Sequence, residues 1–357
     1  MRSVYSSLLV FLFIVYSLIF FVDTAFTQGQ AKISSPPSGY LYHGVFPGPE
    51  GASGEENLIT LKSLEQYESA VGKKVAWVYF SQEWAHDQRF PLETVSWIHD
   101  HGSIPFIRLM LRSTLEHYTK EKIFTLEKII RGDFDEALHA WGRAAHTYHF
   151  PLLVEYGTEV NGEWFSWNAR WYGKKGAERF KKAYRHIIQT MKDENAHNIT
   201  WVFHANNQDV PDEPWNHFEE YYPGDDVIDW IGVSVYGAQT PVTEEWPSFQ
   251  ESLDAIYPRL VSLASGKPIV LLEFGVTSSH PLGDQAYWAE EALKSLSQCR
   301  WPEVIGFSWW NEAWKNDDNP THDTDMRVQD NPDLTRVFHD YVGHNDHVLD
   351  EAIFTTE

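Results

Sequence analysis

Short apolar runs bounded by proline or glycine alternate along this chain with longer stretches in which apolar residues recur every three to four positions. The runs at 40–45, 74–80, 104–110, 151–157, 199–204, 228–235, 268–272 and 304–309 are rich in Val, Ile, Leu and aromatic residues, the composition of strands covered on both faces. Segments 57–71, 91–101, 133–149, 176–194, 215–221, 247–265, 284–298 and 332–342 carry helical spacing. Strands that alternate with helices pair in parallel through right-handed crossovers, and eight of them close a barrel. The expected fold is therefore α/β, a (β/α)8 TIM barrel forming one domain. An open doubly wound sheet is the competing arrangement, but no glycine-rich phosphate loop follows the first strand.

A barrel of this kind displays its chemistry at the carboxyl ends of its strands. Residues 151–167 read PLLVEYGTEVNGEWFSW. Alternation along this strand puts Glu155, Gly157 and Glu159 on one side, with Glu159 at the strand's end. Asn161, Trp164, Phe165 and Trp167 follow it. Indole rings match the C–H face of a pyranose, while Asn and Glu take its hydroxyls. A carboxyl beside indoles is also partly desolvated, which raises its pKa and suits it to be a general acid. Residues 267–275, KPIVLLEFG, close a second apolar strand with Glu273. Two glutamates at the ends of two strands form the pair that glycoside hydrolysis uses.

Other groups fall at the same end of the strands. Tyr236 is placed to donate to Glu273, and Trp309 or Trp310 to form a platform under the sugar, the register of strand eight leaving open which of them points inward. Trp164 is a candidate for the leaving-group side. His43, Arg108, His204 and Asn206 are expected either to contact hydroxyls or to be satisfied interior residues. Glu155, deeper than Glu159, is expected to pair with Arg108 as barrel structure.

Charge and composition narrow the partners. The 357 residues carry 28 Lys and Arg against 51 Asp and Glu, a net charge of −23, which repels nucleic acid and anionic membranes and leaves a neutral polysaccharide or oligosaccharide indifferent. The 16 Trp, 17 Tyr and 21 Phe suit carbohydrate binding. No HExxH and no cysteine cluster is present, and the acidic run 316–325 lacks the glycine of a calcium loop, so no metal or cofactor is expected and that run reads as a solvated loop bending over the cleft. The single cysteine, Cys299, excludes an intramolecular disulfide and reads as a buried small hydrophobe at a helix end. Asn198-Ile199-Thr200 matches the N-glycosylation pattern. Arg2, the apolar run Leu8–Val22 and the small residues Ala25 and Thr27 read as a signal peptide over 1–27, with an uncleaved membrane anchor as the alternative. The expected product is a secreted or periplasmic monomer, with a linker at 28–39, a catalytic domain at 40–345 and a tail at 346–357.

The segment TEVNGEWFSW resembles the acid/base motif of glycoside hydrolase family 26, whose usual form is His-Glu, one residue, Asn-Gly and then a Trp-Phe pair. KPIVLLEFG resembles that family's nucleophile strand, and VSVYG at 233–237 the preceding strand, whose tyrosine hydrogen-bonds the nucleophile. The resemblance runs from about Tyr40 to about Val342. It implies a retaining enzyme on a (β/α)8 barrel with Glu159 as acid/base and Glu273 as nucleophile. Family members are mostly endo-β-1,4-mannanases, with some mixed-linkage β-glucanases and β-1,3-xylanases. A retaining pair would hold its carboxyls about 5 to 5.5 Å apart. The family's histidine before the acid/base glutamate is Thr158 here, which leaves the preferred sugar open. Two readings of other kinds are a polysaccharide-binding barrel without catalysis and a metal-dependent hydrolase.

Overall fold

The computed structural model describes residues 31–51 and 56–355. Eight strands form the barrel: β1 (Leu41–Phe46), β2 (Trp77–Glu83), β3 (Ile104–Met110), β4 (Leu152–Tyr156), β5 (Ile199–Asn206), β6 (Trp230–Tyr236), β7 (Ile269–Gly275) and β8 (Val304–Trp310). Each runs parallel to the next, and β8 pairs back onto β1 from Tyr42↔Gly306 to Phe46↔Trp310. Closure removes the unpaired edge that an open sheet would expose.

The outer layer comprises α1 (Leu61–Val71), α2 (Leu92–His101), α3 (Leu126–Arg131), α4 (Asp135–Tyr148), α5 (Gly176–Asp193), α6 (Phe249–Leu263), α7 (Gln285–Ser297) and α8 (Pro332–Phe338). The longest, α5, buries Phe180, Tyr184, Ile187 and Met191, one stripe at helical spacing. Thr60, Thr125, Ser248 and Asp284 start α1, α3, α6 and α7 by accepting a backbone N–H of the first turn. The barrel floor is plugged by Trp77, whose Nε1 donates to Ser308 Oγ at 2.7 Å and whose ring meets Tyr42, Phe106 and Trp230. A Cβ on Gly44 would lie 2.0 Å from that indole nitrogen, so the glycine makes the space the plug needs.

Several expectations are corrected. Strand β2 starts three residues later than 74 and runs on through Ser81, Gln82 and Glu83, past the expected end at 80. Their partners lie inside the fold: Arg112 forks onto Glu83 at 2.8 and 2.6 Å, and Trp141 Nε1 donates to Gln82 Oε1 at 2.9 Å. The helix expected at 133–149 is preceded by the unforeseen α3. Cys299 is exposed, with φ of 55°, at the turn after α7. Asn198 is buried, donating to the carbonyls of Ala145 and Phe150 at 3.0 and 2.7 Å, so the glycosylation pattern is closed to solvent.

Part of the segment expected as a linker is drawn into the fold. Lys32–Ile33 pairs antiparallel with Phe354–Thr355, Val348–Leu349 runs beside the start of β1, and Ala31 and Ile33 are buried. The acidic run 316–325 forms a hairpin, Ala313–Trp314 against Thr324–Asp325, with an exposed tip. Its base is tied by Thr324 Oγ1 to the Gln239 carbonyl and by Ser278 N to the Asp325 carbonyl. The signal peptide expected over 1–27 lies outside the described residues. Among the described residues no helix is long and apolar enough to cross a membrane.

Candidate active site

Glu159 reaches the barrel mouth by a turn and not by strand alternation. Strand β4 ends at Tyr156; Glu155 faces inward, while a Cβ on Gly157 would strike Phe180 of α5 at 2.3 Å, so Gly157 faces outward. Both Gly157, with φ of 75°, and Glu159, with φ of 47°, are left-handed. That conformation is uncommon for a glutamate and persists where surroundings over-determine it. Here Val160 N donates to the His204 carbonyl at 3.1 Å, Trp167 Nε1 to the Thr158 carbonyl at 2.9 Å and Asn168 Nδ2 to the Val160 carbonyl at 3.0 Å.

Of the aromatics around Glu159 only Trp164 touches its carboxyl, donating from Nε1 to Oε2 at 2.8 Å. A Cβ on Gly162 would lie 2.2 Å from this indole, so the Asn-Gly step seats the ring. Phe165 and Trp167 stack on each other at 4.5 Å underneath, in the core. Asn161, expected on the sugar, is instead fully buried. Its amide donates to the Asn206 and Gln208 carbonyls and to Asp209, and its Oδ1 accepts Asn206 N, so it locks the loop after β5 to the loop after β4. Asn206 itself stands half-buried at the rim, its Nδ2 donating to the Gln208 carbonyl at 2.8 Å.

The register of β8 decides between the two tryptophans. Trp310 points inward, stacked on Phe46 at 3.9 Å with the Arg108 guanidinium 5.2 Å from its ring. Trp309 points outward against Phe274 and Phe338 and donates to the Met326 carbonyl, so it is no substrate contact. His43 also faces outward, between Tyr67 of α1 at 2.7 Å and the Lys74 carbonyl at 3.2 Å; burial pushes its pKa down to about 3. It too leaves the candidate site.

Glu273, 5 % exposed at the end of β7, accepts from Tyr236 Oη at 3.1 Å and faces Arg108 Nη2 at 3.2 Å. Arg108 is the hub of the site. It also reaches Glu56 at 2.6 Å, Ser81 at 3.2 Å and Thr158 Oγ1 at 3.3 Å. Its expected pairing with Glu155 is present but long, at 3.7 Å; Glu155 is held more closely by His204 at 2.8 Å and by Tyr79 and Thr158 at 2.6 Å each. His204 is fully buried below the glutamates and cannot reach a hydroxyl of a bound chain.

Burial raises the pKa of Glu273, Arg108 pulls it down and Glu159 pushes it up again, to about 8 in balance. Burial also raises Glu159, against Ser234 and Trp164. Two such carboxyls retain one proton near neutrality. The negative charge belongs on Glu273, which holds the cation and the phenol, and the proton on Glu159, which has an indole and no cation in contact. A third carboxyl, Glu312 just past β8, is 3 % exposed and pushed by burial up to about 8. Its Oε2 accepts from Trp310 Nε1 at 3.0 Å, and its Oε1 is buried without a partner. Glu56 and Ser234 escaped the sequence reading. Ser234 had a signal, a lone hydroxyl in an apolar strand, whereas Glu56 is brought in only by the fold.

Trp164→Phe removes the donor that steadies the ionised Glu159 carboxylate. The alkaline limb of the activity profile, where Glu159 loses its proton, is expected to move up by roughly one pH unit, read from kcat/KM against pH. An unmoved limb would mean that the indole acts only by packing.

The sequence model described as glycosyl hydrolase family 26 matches residues 121–267, which include Glu159 and stop short of Glu273. The chain is 24% identical over 284 residues to Endoglucanase H of Acetivibrio thermocellus, across 79% of this chain and 29% of that protein. It is 27% identical over 169 residues to the mannan endo-1,4-beta-mannosidase of Bacillus subtilis, 46% of this chain and 40% of the relative. The chain thus spans less than half the length of these curated relatives. Among solved structures, a β-mannanase of Bacteroides ovatus superposes with a TM-score of 0.61 at 14% identity, covering 87% of this chain and 90% of that one. A β-mannanase from a symbiotic protist of the termite Reticulitermes speratus gives 0.56 at 17% identity, covering 89% and 97%. At these identities the structural likeness speaks for the barrel. Residues 121–267 match the model of glycosyl hydrolase family 26, and the paired motifs around Glu159 and Glu273 resemble that family's, so the chain is similar to glycosyl hydrolase family 26.

Proposed function

We propose that the protein is an exported retaining endo-β-glycanase that cleaves a neutral polysaccharide, with β-1,4-mannan as the first substrate. The observation that carries this reading is the unequal treatment of two buried carboxyls. The Arg108 cation and the Tyr236 phenol contact Glu273 and favour its charged form, whereas Glu159 meets neutral donors, Trp164 among them. Glu273 attacks the anomeric carbon while Glu159 gives its proton to the leaving oxygen; water, activated by Glu159, then releases the sugar from Glu273. Trp310 offers its face to the ring being cleaved and Trp164 lies on the leaving-group side. Export rests on the N-terminal pattern of residues 1–27.

Mixed-linkage β-glucan is the second reading, for a specific reason. Thr158 turns its hydroxyl inward to Glu155 at 2.6 Å and presents neither imidazole nor hydroxyl to the sugar's C2 side. Endoglucanase H is also matched across more of this chain than the mannosidase. Mannan and glucan differ at that one hydroxyl, so discrimination rests on a hydrogen bond made or left unmade. Release of reducing ends from galactomannan, mixed-linkage β-glucan and β-1,3-xylan, with Glu273→Ala as control, tests the reading. Cleavage of galactomannan above the others is expected. Preference for mixed-linkage glucan would transfer the assignment to the second reading, and inactivity on all three would favour a binding barrel.

A further inference from the structure

Strands β4 and β8 stand four places apart in a closed ring of eight, on opposite sides of the barrel mouth. Trp164, after β4, lies on the leaving-group side, so a chain crossing the mouth leaves it toward β8. There the hairpin after β8 and the loop after β7 enclose a cleft of about 450 Å3, a size that takes a small ligand. Its walls carry Ser278 on one side and Trp314, Thr321, Asp323 and Arg327 on the other. Ala313, also on the wall, is three residues past Trp310, which keeps their backbones within about 11 Å of each other. The hairpin is braced by its own side chains. Asn316 Nδ2 donates to the His322 carbonyl at 2.7 Å and to Thr324 Oγ1 at 2.8 Å, and His322 sits between Asp317 at 2.7 Å and Asn319 at 2.8 Å. Ser278 N ties the opposite wall to it, donating to the Asp325 carbonyl at 2.8 Å. Trp314 is half-buried against the core and donates from Nε1 to Asn316 Oδ1 at 3.1 Å. With that nitrogen satisfied, the indole offers the cleft an apolar surface.

We propose that this cleft is a sugar-binding subsite for the part of the polysaccharide on the far side of the cleaved bond from the leaving group, with Trp314 as its platform. The proposal rests on the glycanase reading above and adds to it where the retained end of the chain is held. An indole flanked by Ser, Thr and Asp side chains has the make-up of a pyranose site. Its apolar surface meets C–H bonds, the oxygens accept from hydroxyls, and a guanidinium donates to them. Arg327 is already held by Asp325 at 3.0 Å and Asp330 at 2.5 Å, so its charge is balanced within the wall. An acidic sugar is disfavoured by Asp323 and Asp325, which both line the cleft, and a neutral hexose is not. Because the two walls are braced before a ligand arrives, little of the contact energy is lost to ordering a loop. A chain resting on Trp310 and Trp314 together is gripped at more than one sugar. Binding away from the reacting carbon can then favour the transition state, an advantage that a short glycon forgoes.

Aryl glycosides separate this subsite from the chemistry, because the aryl group takes the leaving-group side and only the length of the glycon changes. In whichever series the parent cleaves, manno or gluco, it is expected to hydrolyse the aryl trisaccharide with a higher kcat/KM than the aryl monosaccharide. Trp314→Ala should lower that preference about tenfold, and Trp314→Phe, which keeps a ring face, should retain most of it. Equal losses on the long and short substrates, an unchanged preference in Trp314→Ala, or a loss that only follows a lowered melting temperature overturns the proposal. Binding is read apart from catalysis by calorimetric titration of mannotetraose and of a mixed-linkage glucotetraose into Glu273→Ala. The tighter ligand should bind about tenfold more weakly once Trp314→Ala is added, and binding of neither overturns the subsite. If the parent cleaves no glycoside or polymer while Glu273→Ala still holds a tetrasaccharide through Trp314, the catalytic reading fails and the subsite stands. If cleavage is intact and Trp314 changes neither binding nor preference, the subsite alone fails.

Discussion

Glu273→Ala is expected to abolish chain cleavage, lowering kcat by roughly 10⁴-fold or more, because it removes the carboxylate proposed to form the covalent bond. Glu159→Ala should cost about 10²- to 10⁴-fold on polysaccharide, where the leaving oxygen needs a proton, and little in the first step on an aryl glycoside whose leaving group needs none. Proton NMR of the first product should show the anomer of the substrate, as a double displacement requires. Release of the inverted anomer would remove Glu273 as nucleophile. Stability should respond in the opposite direction. Glu273 has a pKa raised in the folded protein to about 8, burial being the main cause. A raised carboxyl stabilises fully only below its unfolded pKa, and that contribution is lost as pH rises through the folded one. The alanine variant is therefore expected to unfold no earlier than the parent at pH 8, and an inactive variant that also unfolds early there would point to damage and not to missing chemistry.

The parts of this site that were legible in the sequence are those that local chemistry dictates. Apolar runs closed by a carboxylate marked β4 with Glu159 and β7 with Glu273, and the tyrosine ending β6 marked Tyr236, because a buried strand has few reasons to end in such groups. Side-chain direction was less legible. One residue of register separates Trp309 from Trp310, and only the pairing of β8 with β1, Val45↔Trp309 and Phe46↔Trp310, settles which of them faces the interior. His43 and Asn161 have the chemistry of sugar ligands, but their hydrogen bonds go to Tyr67 and to the loop after β5. Composition cannot distinguish a polar group that waits for a ligand from one that already has its partners. Glu56 was invisible for the complementary reason, since it enters the site from a loop with no strand pattern to place it.

Arg108→Met is expected to be the most destabilising single change in the site. The guanidinium lies between Glu56 at 2.6 Å, Glu273 at 3.2 Å and Glu155 at 3.7 Å, with 2 % of its side chain exposed. Breaking a buried ion pair from one side costs about 3–5 kcal/mol, because the remaining charges are left in a medium that cannot solvate them. The pH dependence identifies the cause. Burial works to raise Glu56, and Arg108 foremost brings it below the usual range; burial likewise works to raise Glu155, and His204 followed by Arg108 brings it down. Without the cation all three carboxyls rise in the folded state and not in the unfolded one. A raised carboxyl costs nothing while it stays protonated, and its cost grows as pH climbs from the ordinary carboxylate range through the raised value. The stability deficit of Arg108→Met in denaturant titrations is therefore expected to be small near pH 4 and complete near pH 8. A deficit of the same size at both ends would assign the role of Arg108 to its packing over Trp310 and Tyr79, at 5.2 and 5.6 Å from the ring centres, and not to its charge. Arg108→Lys separates the two further: it keeps the charge but loses the fork that reaches Glu56 and Glu273 at once, so it should recover the alkaline stability only in part. Activity should stay low in both variants, because Glu273, already raised by burial, then rises further and holds its proton over more of the pH range in which it must attack.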